Sequence, residues 1–248
     1  MAKDLFSKQA VLYAKYRPTY PAALIDYILS FVEQKKLALD CATGNGQAAL
    51  LYADYFEKVF ATDTSEKQIA QATHHPKIIY SISEAEKTLF ADNTFDLITV
   101  SQAYHWLQFD AFFNEAKRIG KNGCVVAVWG YQLAVAADEK INEIVKYFYV
   151  DVVGKYWDTE RKYVDQRYET IPFEFKRLTS KEFNINVEWD VEELLGYFNT
   201  WSSVQNFIKA NGYNPVDELA DKIRSAWNDE KKKPFSFPIF LLIGRIEK

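Results

Sequence analysis

Cysteine is nearly absent from this 248-residue chain. Cys41 and Cys124 are the only two, and both fall in expected strands, so they read as small buried side chains and a disulfide framework is not expected. Nor is there an excess of positive charge. The formal net charge is −4, which removes the basic footprint that nucleic-acid binding requires. Lys231-Lys232-Lys233 reads as a solvated loop before Pro234. No apolar run approaches the length of a membrane span, and Met1-Ala2-Lys3-Asp4 lacks the apolar core of a signal segment. Repeats and low-complexity linkers are missing too. The expectation is a reduced, cytoplasmic protein with no membrane or nucleic-acid partner, monomeric or homodimeric. Histidines number three. His74 and His75 fall in a loop with no cysteine or acid cluster around them, so no metal site is expected.

Aromatic side chains, by contrast, are plentiful: 18 Phe, 16 Tyr and 6 Trp. They suit a large core, an aromatic-lined pocket, or both. The most informative stretch is Leu37-Ala38-Leu39-Asp40-Cys41-Ala42-Thr43-Gly44-Asn45-Gly46-Gln47. A short apolar run predicts a buried strand ending at the acid Asp40. Small residues follow, then a helical run from Ala48. Gly44 and Gly46 allow the backbone to approach a ligand where a Cβ would intrude, and the amides opening the next helix point toward it. Gly44-Asn45-Gly46-Gln47-Ala48-Ala49 also fits the G-x-G-x-x-A form of a dinucleotide fingerprint.

The rest of the chain alternates. A helix is expected from Ala22 to about Phe31, and strands at 37–40, 58–63, 78–80, 95–101 and 124–131, with helices between them, Ser65 capping one. This order predicts a parallel sheet covered on both faces. Asp63 stands at the tip of the second strand, one βαβ step past the glycines, where an acid meets a ribose. Asp96 opens the fourth strand and reads as structural. Residues 138–172 look helical. Phe183, Ile185, Val187 and Trp189 alternate with polar residues, as a strand with one wet face does. Helices are expected at about 190–198, 203–210 and 215–228, and the last strand runs from Phe235 to Ile246. The chain reads as one α/β domain over 1–248: a Rossmann-like, doubly wound sheet of about seven strands, mostly parallel with an antiparallel last strand. An N-terminal lid segment (1–21) and helical insertions (about 138–172 and 190–228) complete it.

This series resembles the class I S-adenosylmethionine-dependent methyltransferases. Asp40-x-Ala42-x-Gly44-x-Gly46 looks like their first motif with Ala42 in place of a glycine, tolerable if φ there is negative. Tyr16-Arg17-Pro18-x-Tyr20-Pro21, His105-Trp106, Trp129-Gly130-Tyr131 and Thr200-Trp201-Ser202 carry a closer resemblance to the type 11 branch and its trans-aconitate-type small-molecule enzymes. The resemblance implies S-adenosylmethionine as cofactor. It would be held by Asp40, Ala42, Thr43, Gly44, Asn45 and Gly46, by Asp63 and Thr64, by Glu84, Ala85 and Glu86, and by Ser101 and Gln102. Asp40 either meets the methionine amino group or braces the turn; Glu84 or Glu86 meets adenine. The acceptor pocket would draw on Tyr13, Arg17, Tyr20, His105, Trp106, Tyr131 and Trp201. His105 and Arg17 are the candidate catalytic residues: His105 as base or lid brace, Arg17 as the cation placing a carboxylate or as a bracing ion pair. The favoured activity is O-methylation of a small carboxylate. Phenol, amine or carbon methylation, a nicotinamide-dependent oxidoreductase and a non-catalytic cofactor-binding protein are the alternatives.

Overall fold

The computed structural model describes residues 15–228 and 231–248; Tyr13 lies outside the described residues. Proline 21 stops the extended segment from Arg17 and stands as N-cap of helix α1 (Ala22–Leu29), which buries Leu24, Ile25, Ile28 and Leu29. Strand β1 (Leu37–Cys41) follows, then helix α2 (Gln47–Tyr52), β2 (Lys58–Asp63), α3 (Glu66–Ile69) and β3 (Ile78–Ile82). Ser65 caps α3 by accepting from the Gln68 amide. Strand β4 (Phe95–Ser101) leads through a tight turn at Tyr104–Trp106 into α4 (Phe109–Ile119) and β5 (Gly120–Tyr131). Strands β1, β4 and β5 are apolar along most of their length because helices cover both faces of a parallel sheet.

The strand order is β3-β2-β1-β4-β5-β9, and the pairs among β1 to β5 are parallel. The last strand, β9 (Lys233–Arg245), runs antiparallel to β5. On its other side it pairs with β8 (Phe183–Trp189), whose alternating burial matches the expected wet face. Two-residue strands β6 (Val135–Ala136) and β7 (Lys176–Arg177), which the sequence does not signal, also pair with β9. The 138–172 region is less regular than expected. Helix α5 (Glu139–Tyr147) runs into a wide turn at Phe148–Val152 and a tight one at Gly154–Tyr156, then α6 (Arg161–Asp165). Helices α7 (Val191–Asn199), α8 (Ser202–Asn211) and α9 (Pro215–Trp227) fill the stretch before β9.

Two apolar clusters cover the sheet. One joins α1, α2, α5 and α7 to α9; the other joins α4 to Val164, Tyr168, Ile171, Phe173 and Phe175. Asp96 is structural, as expected: Oδ2 accepts from the Lys36 and Leu37 amides, and Lys121 Nζ lies 2.5 Å from Oδ1. The lysine run departs from expectation. Lys233 is only 3% exposed, and its Nζ meets Asp138 Oδ2 at 3.0 Å. Lys232 pairs with Glu193. Lys231 and Lys232 stay exposed as expected, while Lys233 is a buried tie from β9 to the start of α5.

Candidate active site

Strand order reverses between β1 and β4, so their carboxyl ends frame a crevice, the usual ligand position in an open α/β sheet. Four groups of expected site residues gather there. Asp40 to Gly46 follow β1, Asp63 and Thr64 end β2, Glu84 to Glu86 follow β3, and Ser101 and Gln102 end β4.

The turn after β1 is built around a buried carboxylate. Asp40 is fully buried; Thr43 Oγ1 donates to its Oδ2 at 2.5 Å and Thr99 Oγ1 to its Oδ1 at 2.6 Å. Thr99 is the register partner of Asp40 on β4. Tyr52 OH lies 2.7 Å from Thr99 Oγ1 and donates to it, since the threonine proton is spent on Asp40. Burial pushes the Asp40 carboxyl up to about 6, against the pull of these donors. Of the two readings left open for Asp40, this geometry favours the brace. The Thr43 amide is in turn tied to Thr62 O at 2.9 Å.

Ala42 has φ 50°, in the left-handed region, so the condition of a negative φ under which alanine replaces glycine freely is not met. Its Cβ is strained there by roughly 1–2 kcal/mol, and the fixed ends of the turn hold it. Gly46, with φ 84°, opens α2; a Cβ there would stand 2.4 Å from Tyr80 OH. Gly44 has open space instead, with Gln68 Oε1 the nearest atom at 3.9 Å.

Asp63 fastens the turn to β2. Its Oδ2 accepts from the Gly44 amide and its Oδ1 from the Ser65 amide, each at 2.8 Å. Thr64 beside it is exposed and Asn45 is buried. Past β3, the two glutamates separate. Glu86 Oε1 accepts from the Gln108 amide that opens α4, whereas the Glu84 carboxylate is exposed and holds no described residue; Ala85 between them is buried. Beyond half-buried Ser101, Gln102 (φ 53°) spends its side chain on the backbone of Tyr131, accepting from N at 2.7 Å and donating to O at 3.3 Å.

His105 is buried. Its Nδ1 lies 2.7 Å from Tyr168 OH, and its ring packs on Trp106 at 4.8 Å, a half-buried side chain. Burial first, and the charge of Arg161 second, push the imidazole down to about 3. Burial pushes the Tyr168 phenol well up. The pair is thus neutral at physiological pH. Arg17 is less free than the sequence suggests. Nη1 donates to Tyr131 OH at 2.6 Å and Nη2 to Thr200 O at 3.2 Å, with the guanidinium 5.3 Å from the Tyr197 ring. Tyr20 packs edge-on against Trp129 and near Tyr131. Trp201 is 2% exposed, ringed by Phe148, Tyr149, Trp157, Tyr197 and Phe198. It is core of the helical region where a pocket wall was expected. Thr99, Tyr52, Tyr168 and Arg161 were missed by sequence reasoning; of these, only Thr99 had a signal, as the polar residue inside an apolar strand beside Asp40.

The residues fit S-adenosylmethionine: an open cradle at Gly44, the strand-tip carboxylate of Asp63 beside it, and an exposed acid after β3. Residues 39–128 match the type 11 "Methyltransferase domain". The chain is 31% identical over 251 residues to a candidate methyltransferase of Dictyostelium discoideum, covering 98% of this chain and 95% of the relative. A probable S-adenosylmethionine-dependent methyltransferase of Saccharomyces cerevisiae is 25% identical, over 60% of this chain and 56% of its own length. A solved structure, described as a candidate type II methyltransferase from Anaeromyxobacter dehalogenans, superposes with TM-score 0.86 at 35% identity, covering 94% of this chain and 99% of that one. Strand order, site and relatives agree: the chain belongs to the class I S-adenosylmethionine-dependent methyltransferases.

Proposed function

We propose that this methyltransferase acts on a small molecule and methylates a carboxylate oxygen. The observation that carries the reading is the character of the groups behind β4. The one imidazole there is neutral and already engaged at Nδ1, so it is a poor proton acceptor, whereas two guanidiniums, Arg17 and Arg161, border the same aromatic cluster. A phenol or amine needs a proton removed; a carboxylate needs none and is drawn by cations. A nicotinamide reading is not kept, because the family is a methyltransferase one.

In this reading the amides of residues 43–46 and the carboxylates of Asp63 and Glu84 hold the cofactor, Asp63 at the ribose hydroxyls and Glu84 at the adenine amino group beside the Ala85 amide. Asp40 keeps the turn in shape through Thr43. When bound, S-adenosylmethionine supplies a sulfonium methyl: the acceptor oxygen forms the new C–O bond while the C–S pair returns to sulfur, and no proton is released. Arg17 ties residues 15–21 to Tyr131 and Thr200, closing the acceptor side and excluding water. His105 and Tyr168 orient Trp106 against that side. Most of the rate enhancement then comes from positioning.

The test is single-turnover transfer of a labelled methyl group to panels of small acids and phenols, from pH 6 to 9. With a carboxylate, Arg17→Ala loses far more activity than His105→Ala. A large His105→Ala defect, on the order of 10²–10⁴-fold and rescued by alkali, beside a small Arg17 defect would sink the carboxylate reading.

A further inference from the structure

Arg161 has a placement that a structural ion pair does not account for. It opens α6, and its side chain is 17% exposed. Only one edge of the guanidinium is used: Nε donates to Tyr149 OH at 2.8 Å and lies 3.3 Å from Asp165 Oδ1. Nη1 and Nη2 make no hydrogen bond to any described residue. The faces are fixed by rings, with Trp157 at 4.7 Å and Tyr149 at 5.4 Å from the guanidinium carbon. The plane is therefore held while its outer fork, with four N–H donors, is unspent. Asp165 balances the charge incompletely, since it is 48% exposed and sits on the Nε edge.

The guanidinium borders the same aromatic cluster as Arg17. The Arg161 charge acts on His105, on Tyr168 and on Tyr197. Tyr197 is the ring over which Arg17 sits, and Trp157 and Tyr149 pack on Trp201 beside it. Arg17 has both its Nη atoms engaged by Tyr131 and Thr200. The fork is the part of the side chain left open to approach, while the stem and Nε edge are packed away. A planar carboxylate matches the fork with two parallel hydrogen bonds, and aromatic rings accommodate an apolar body attached to it.

We propose that Arg161 is the residue that seats the acceptor's carboxylate, while Arg17 ties residues 15–21 to Tyr131 and Thr200. This rests on the carboxylate reading above. Each acceptor oxygen still has a lone pair for the methyl carbon after accepting from the fork.

The experiment uses the full chain loaded with S-adenosylhomocysteine. Benzoate and succinate, with benzamide and succinamide as neutral matches, are titrated while melting temperature and Trp fluorescence are followed, and both acids are assayed for methyl transfer. Trp157, stacked under the guanidinium, makes fluorescence report on this spot. The wild type is expected to bind an acid and not its amide. Arg161→Gln should raise the dissociation constant for the acid about 10²-fold, the loss of charge-assisted hydrogen bonds, with S-adenosylhomocysteine affinity unchanged. Arg161→Lys keeps the charge without the fork and should recover only part of the affinity; it also decides the matter if the Gln variant fails to bind S-adenosylhomocysteine. If acids bind and are methylated equally well by wild type and Arg161→Gln, Arg161 is not the seat, and the carboxylate reading survives. If no acid binds the wild type and phenols are methylated instead, both fall.

Discussion

Two buried ionisable groups flank the crevice with shifts of opposite consequence, and acid titration of stability separates them. His105 falls from an ordinary 6.5 to about 3. A depressed histidine contributes stability that is complete above 6.5 and is lost as pH falls toward 3. At pH 5.0 the unfolded chain has taken up its proton and the folded one has not, a loss of about 2 kcal/mol relative to pH 7.5. Asp40 rises from 3.8 to about 6. A raised carboxyl does the reverse, adding stability at low pH that disappears as pH rises through 6. Over the same interval it returns about 1 kcal/mol. From these two groups the wild type should lose only about 1 kcal/mol on going from pH 7.5 to 5.0. His105→Asn keeps a polar atom near the Nδ1 position for Tyr168 but cannot titrate; it should instead gain about 1 kcal/mol over that interval. Asp40→Asn should lose the full 2 kcal/mol or so, and the double variant should be flat. Urea unfolding at the two pH values, with m checked for constancy, measures all four. Parallel behaviour of wild type and His105→Asn would refute the claim that the folded imidazole stays neutral, and with it the argument against His105 as a base.

Asp63→Ala should raise the dissociation constant for S-adenosylhomocysteine by about one to two decades with the fold intact; calorimetric titration reads it, and unchanged affinity would reduce Asp63 to a strap between Gly44 and Ser65. Ala42→Gly relieves roughly 1–2 kcal/mol of left-handed strain against roughly 0.4–1 kcal/mol of added unfolded-chain entropy, so a modest rise in the urea midpoint is expected; a fall would mean the Ala42 Cβ packs usefully. Lys233→Met should destabilise by about 1 kcal/mol, because Asp138 loses a charge-assisted donor but remains partly in water and still accepts from the Ile141 amide, and Lys233→Met with Asp138→Asn should recover part of the loss.

How much of this was readable beforehand follows burial and sequence distance. Strands β1, β4 and β5 are apolar on both faces, so their runs stand out, and β8 announces itself by alternation. Asp40, Gly44, Gly46 and Asp63 are legible because spacing along one βαβ unit fixes their relation. Strands β6 and β7 are not, because two residues carry no periodicity and exist only as partners of β9. The φ of Ala42 is set by ties to Thr62 and Asp63 that no local pattern reveals. Lys233 looked solvated because its partner Asp138 lies 95 residues earlier. Tyr168 meets His105, and Arg161 comes near enough for its charge to act there, only through tertiary packing, in a region whose own pattern said no more than helix.

Strand β9 has a consequence for how this protein comes to exist. Residues 233–245 pair with β5 on one side and β8 on the other, and among the described residues no other strand joins those two. As the chain leaves the ribosome, β1 to β5 can assemble early. Until β9 emerges, β5 presents an unpaired edge bearing Val125, Val126, Val128 and Trp129, and β8 has no partner. Such edges template association with other chains. The contacts that close β9 onto β5 span more than a hundred residues, and pairings of that range form slowly. Crowded synthesis at high temperature should therefore penalise this protein at the birth of its last strand, and slower delivery of that segment or a chaperone covering the β5 edge should raise the yield of folded chains without altering the stability of the finished molecule.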